Sequence, residues 1–147
     1  MEENNFKKTE YHLYSYKDID KLNQLADIKI KQLLNDVSIK AISYDEKSSP
    51  TNAFNSSVEN EVIKRDEHIK DKIEQLKKDK ENRTIEKELI NTTLDLLEDD
   101  ERKLVELRYF SKPTRSWTSI AQDLNQSVDN CIKVRRKVIE KISTYIL

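Results

Sequence analysis

The chain has 147 residues, a formal net charge of −1, 37% charged and 35% apolar residues, no glycine and two prolines. An all-β protein needs turn residues at every reversal and is excluded; the low apolar fraction suits long, surface-rich helices, so the expected fold class is all-α. One cysteine, Cys131, leaves no internal disulfide and no cysteine-based metal cluster, and no apolar run approaches the length of a membrane span or follows Met1 as a signal-peptide core, so a cytoplasmic protein without a membrane partner is expected.

Residues 1–16 are polar with scattered aromatics, Phe6, Tyr11, Tyr14 and Tyr16, and read as an arm. From Lys17 to about Lys40, Ile19, Leu22, Ala26, Ile30, Leu33 and Val37 recur every three or four positions, the stripe of an amphipathic helix. Arm and helix make up a first segment, 1–44. Residues 45–57, DEKSSPTNAFNSS, are Ser/Asn-rich around Pro50 and read as a linker whose one large apolar side chain is Phe54. Ser57 suits the start of a second, highly charged helix over 58–82. Its apolar positions, Val62, Ile69, Ile73 and Leu76, form a narrow, coiled-coil-like seam. A seam that thin buries little alone, and two partners stay open: the first helix folded back, or a second protomer in a homodimer.

Residues 83–147 divide into four helical segments. The first, 84–97, is amphipathic. Glu98-Asp99-Asp100-Glu101 opens the second, 101–110, where acidic side chains meet the positive end of the helix dipole. Pro113 ends it. Ser116 is a good N-cap for Trp117–Leu124, and Ser127 for a last helix from Val128 to about Tyr145. Between them Asn125 sits where the chain must reverse, and asparagine is the non-glycine residue that best tolerates the left-handed conformation. On the last helix Cys131, Val134, Val138, Ile142 and Tyr145 share a face expected to pack on Leu104, Leu107, Ile120, Ala121 and Leu124. Trp117 is expected as a packing anchor and Cys131 as a small core residue with a dulled thiol.

The charge is unevenly placed. Between Lys112 and Lys141, seven cations (Lys112, Arg115, Lys133, Arg135, Arg136, Lys137, Lys141) outnumber three carboxylates (Asp123, Asp129, Glu140), which is the local footprint that nucleic-acid binding needs. The polar face of the last helix carries Asp129, Asn130, Lys133, Arg136 and Lys137. Asparagine pairs with adenine, and arginine or lysine with guanine, in a major groove. The first turn of a recognition helix reaches bases, so Asp129, Asn130 and Lys133 are the candidate base readers. Arg136, Lys137, Lys112 and Arg115 are candidate phosphate contacts. Ser116, Thr118 and Ser119 can bond phosphate through hydroxyls or backbone N–H groups, and Ser127 completes the set at the start of the last helix.

The stretches LLEDDERKLVELRYF and SWTSIAQDLNQSVDNCIKVRRKVIEKI resemble region 4 of the bacterial sigma factors, in the acidic helix start, the Arg-Tyr-Phe end, the Ile-Ala pair and the serine cap. The layout, with SSPTNAFNSSVENEVIKRDEHI ahead of these stretches, is similar to the phage and prophage transcriptional activators of the RinA/ArpU type over roughly residues 48–145. The resemblance implies a sigma-like helix-turn-helix over 83–147 that binds double-stranded DNA, a role in activating late phage genes in the host cytoplasm at the nucleoid, and bacterial RNA polymerase as a second partner. Two positions depart from that pattern: Asn125 replaces the usual glycine, and Asp129 puts a negative charge on the reading face. No phosphate loop, no Cys/His pair and no histidine beside a nucleophile is present, so neither an enzyme nor a cofactor is expected. His12 and His68 read as exposed side chains without partners. Residues 98–101 lack the spacing of a calcium loop and no metal is expected there. Two other functions stay open: a small-terminase-like packaging subunit, and a sigma-like or anti-sigma module that binds polymerase without DNA.

Overall fold

The computed structural model describes residues 2–45 and 55–147. Among the described residues it is all-α, with six α-helices and one 3-10 turn and no strand: α1 (Glu3–Ser15), the turn Tyr16–Asp18, α2 (Ile19–Asp45), α3 (Asn55–Asp95), α4 (Asp99–Tyr109), α5 (Trp117–Leu124) and α6 (Val128–Ile146). Most of the expected linker, with Pro50 and Phe54, lies outside the described residues. The chain forms two compact units, one of residues 1–20 with 83–147 and one of residues 21–82.

The first unit corrects the reading of the N-terminal segment. Residues 3–15 are a helix whose Thr9 and Leu13 are fully buried, not an arm. Its packing side carries one aliphatic residue, Leu13, with Phe6, Thr9 and Tyr14, a stripe too polar to stand out by hydropathy. Leu13 joins Ile90 and Leu94 of α3, Val105 and Tyr109 of α4, and Val138, Ile139 and Ile142 of α6 in one buried cluster, with Phe6 and Tyr14 packed against it. The Tyr109 hydroxyl donates to Glu10 Oε1 at 2.7 Å, and burial together with that carboxylate pushes its pKa up. Glu86 meets His12 at 2.5 Å, so His12 has a partner that no local pattern announces; His68 is exposed.

Docking of α1 also revises the expected face of α6. Ile139, absent from that face, is fully buried, because α1 packs onto α6 and gives it a second apolar side. Tyr145 is 56% exposed. A smaller cluster, Leu104, Ala121 and Cys131, joins α4, α5 and α6, with Trp117, Leu124, Val128 and Val134 packed on it. Burial holds the Cys131 thiol above its usual pKa range. At pH 8 Cys131 is therefore expected to react with a thiol reagent at least tenfold more slowly in the folded protein than in denaturant; equal rates would contradict this placement.

In the second unit, α2 and α3 run antiparallel. Lys80 Nζ donates to Asp27 Oδ1 at 2.7 Å, and a groove between the helices is lined by Leu33 and Leu76 among others. The seam of Val62, Ile69, Ile73 and Leu76 is half-buried. α3 continues without interruption past residue 82, where the apolar register shifts. Lys80-Glu81-Asn82-Arg83-Thr84 contains neither glycine nor proline to stop a helix. The register shift therefore marks a change in what the helix packs against, not its end.

Candidate nucleic-acid interface

α5 and α6 are held by local devices legible in their sequence. Ser116 Oγ accepts from the Ser119 N–H at 3.2 Å and Ser127 Oγ from the Asn130 N–H at 3.1 Å, each serving one otherwise unpaired donor at a helix start. Between them Asn125 takes φ 53° and ψ 43°, the left-handed conformation. Its N–H reaches the Gln122 carbonyl at 3.3 Å and the Gln126 N–H reaches the Ala121 carbonyl at 3.0 Å, which is the paired arrangement of a Schellman motif. Asparagine thus fills the position usually given to glycine. Asn125→Gly should keep stability within about 1 kcal/mol, because relief of the left-handed strain offsets the added chain entropy of glycine. Asn125→Val should lose roughly 1–2 kcal/mol, since a β-branched side chain opposes this conformation. Thermal unfolding of the two variants decides it; equal stability would remove the turn from the account.

The start of α5 is pinned from several directions. Trp117 packs on the smaller cluster, and the guanidinium carbons of Arg108 and Arg135 lie 4.7 Å and 5.5 Å from its ring centroid. Arg108 Nη1 donates to the Arg115 carbonyl at 2.5 Å and Nε to the Tyr14 hydroxyl at 3.2 Å. Arg135 also stacks over Phe6 at 5.0 Å, and its Nε lies 3.2 Å from Glu10 Oε1, a charge contact without the alignment of a hydrogen bond. Arg135 thereby joins α1, α5 and α6.

Folding sorts the seven cations of the basic segment. Lys112 pairs with Asp18, Arg115 with Asp123 at 2.6 Å, Arg135 with Glu10, and Lys141 with Glu101 at 2.8 Å. The hydrogen bond from Lys141 to Glu101 raises the lysine pKa. The stabilisation from that shift is fully present below the usual lysine range and is lost as pH rises through the raised value, so it holds at neutral pH. Lys133, Arg136 and Lys137 remain at the surface, and none of them is ion-paired among the described residues. All three lie on α6 at spacings of three and four, on one face with exposed Asp129 and Asn130.

The structure thus brings Asp129, Asn130, Lys133, Arg136 and Lys137 together on one exposed surface. Asn130 Nδ2 donates to Gln126 Oε1 at 2.9 Å, which orients the amide from the turn. Ser116, Thr118 and Ser127 stand at the two helix starts, but the hydroxyls of Ser116 and Ser127 already cap their helices. Ser119 accepts from Arg115 Nη2 at 2.6 Å, so this pair is engaged with itself and with Asp123. Lys112 is paired with Asp18. Two side chains join the set that the sequence does not single out: Gln126, which holds Asn130, and Ile132, 40% exposed beside Lys133. An apolar group there suits contact with a thymine methyl. Its signal in the sequence is an isoleucine one position off the core stripe.

Among the described residues, no group of three or more His, Cys, Asp or Glu side chains is arranged to hold a metal ion, and no helix is long and apolar enough to cross a membrane. A family model described as "Protein of unknown function (DUF722)" matches residues 19–144. No curated protein and no solved structure matches the chain.

Proposed function

The chain belongs to the DUF722 family, and from that premise we propose that this member is a sequence-specific, double-stranded-DNA-binding regulator of transcription whose α5, turn and α6 act as a sigma region 4-like helix-turn-helix. One observation carries the reading: of seven cations in the basic segment, the three without an ion partner among the described residues stand together on the exposed face of α6, beside an asparagine held by Gln126. Three unpaired cations beside an oriented amide are what a recognition helix presents to phosphates and base edges.

In this reading α6 lies in the major groove, with Asn130 and Lys133 on base edges and Ile132 against a thymine methyl. Arg136 and Lys137 sit on the flanking phosphates, and the start of α5, with Ser116 and Thr118, approaches the backbone. Asp129 disfavours phosphate and accepts from a cytosine amino group. The resemblance to phage activators supports late phage genes as targets, the bacterial cytoplasm as the setting and RNA polymerase as a further partner. No catalytic or cofactor role enters.

The test is fluorescence anisotropy with a mixed-sequence duplex at several salt concentrations. Affinity should fall with added salt at a slope of about −0.9 in log–log terms for each phosphate neutralised, so two or more contacts give a slope near −2 or steeper. No binding at low salt, or binding indifferent to salt, contradicts the reading.

A further inference from the structure

Asn130 does not stand free on the exposed face of α6. Its Nδ2 donates to Gln126 Oε1 at 2.9 Å, from the first turn of the helix back into the reversal before it. Both residues are fixed by other bonds. The Asn130 backbone N–H donates to Ser127 Oγ at 3.1 Å, and the Gln126 N–H to the Ala121 carbonyl at 3.0 Å, just after the left-handed Asn125. Gln126 is half-buried, whereas Asn130 is exposed.

The bond between the two side chains serves no backbone group. Ser127 caps α6 and the paired turn bonds close α5, so the helix start and the reversal are complete without it. What it changes is the set of bonds that Asn130 can still make. An asparagine amide has two N–H donors and one carbonyl acceptor. With one N–H given to Gln126, one N–H and Oδ1 remain.

The two purines differ in that respect. In the major groove adenine shows the N7 acceptor beside the N6 amino donor, and guanine shows two acceptors, N7 and O6. An amide with both N–H groups free can serve either purine by turning its nitrogen to guanine. The held amide offers one donor and one acceptor, which adenine complements. Against guanine its Oδ1 would face O6, acceptor against acceptor. We propose that Gln126 is a positioning residue that sets specificity: by holding one N–H of Asn130 it makes that side chain select adenine over guanine at one base pair of the bound site. The inference rests on the DNA reading above and names what one position of the face reads.

The test is selection of bound duplexes from a random library, run side by side on the full chain as wild type, Asn130→Ala, Gln126→Met and Gln126→Glu. The base pair whose preference disappears in Asn130→Ala is the one that Asn130 reads. There the wild type should favour adenine over guanine by at least about fivefold, the lower end for a two-bond base contact. Gln126→Met keeps the length of the side chain and removes the amide oxygen, so the preference should fall below about twofold. Gln126→Glu keeps an acceptor for the Asn130 N–H, so the preference should persist while its charge weakens binding to all sequences alike. A merely structural role for Gln126 would weaken binding to both purines together and leave their ratio in Gln126→Met unchanged, which overturns the proposal. So does an Asn130-dependent base that is not adenine, a motif with no Asn130-dependent pair, or a preference lost in Gln126→Glu as well. In each of those outcomes a motif is still enriched and the DNA reading stands. A wild type that enriches nothing overturns the DNA reading and this proposal with it. Should Gln126→Met lose its helical circular-dichroism signal, Gln126→Ala takes its place under the same criteria.

Discussion

Leu13→Ala should lower the stability of the unit containing α6 by about 2–5 kcal/mol, the range for a fully buried leucine whose neighbours cannot close the cavity. Leu13 has no exposed surface and sits among Ile90, Leu94, Val105, Tyr109, Val138, Ile139 and Ile142. In a unit of this size the loss of stability appears as a fall in melting temperature of roughly 10 °C or more. Tyr11→Ala is the control on the same helix: Tyr11 is 69% exposed, and its removal should cost within about 0.5 kcal/mol. If residues 1–16 were a loose arm, the two variants would melt alike. The outcome bears on function, because Arg135 reaches Phe6 and Glu10 from the helix that carries the candidate reading face. Loss of α1 should therefore weaken DNA binding without touching a DNA-contacting residue.

The second large effect is expected on α6 and should split in two. Lys133→Ala or Asn130→Ala should cost about 1–3 kcal/mol on a preferred site and little on mixed-sequence DNA, as removal of a base-reading side chain does. Arg136→Gln with Lys137→Gln should weaken binding to all sequences alike and make the salt slope shallower by about 2, near one for each phosphate that is no longer neutralised. Lys141→Gln separates this from a general fall in positive charge. Its ammonium is held by Glu101, so the change should lower stability and leave the salt slope alone. A salt slope equally sensitive to Lys141 would mean that net charge, not the α6 face, does the binding.

The parts of this architecture set by neighbours in the chain are legible in the sequence. Ser116, Asn125 and Ser127 act on backbone groups within a few residues, so both helix starts and the left-handed turn can be read from them. The contributions of α1 cannot. Its stripe is aromatic and short, and its roles are defined by residues far along the chain: Glu10 under Tyr109 and Arg135, with Asp18 just beyond the helix beside Lys112. Local charge overstates the candidate site because three of its cations find partners outside the segment, in Asp18, Glu10 and Glu101, and Arg115 finds Asp123 within it. A count along the segment includes Lys112, Arg115, Arg135 and Lys141, all of which folding pairs with carboxylates. Ile139 escapes a sequence reading for a related reason: periodicity assigns one stripe to α6, and the helix has two apolar sides because α1 covers the second. The set of Asp129, Asn130, Lys133, Arg136 and Lys137 is legible as a face because helical periodicity alone defines it.

The most direct test of the central claim is selection of bound duplexes from a random library by the full chain at near-physiological salt, followed by sequencing. Sequence-specific recognition by α6 predicts an enriched motif. A folded, helical protein that enriches nothing would contradict the assignment of α5 and α6 as a reader of DNA sequence.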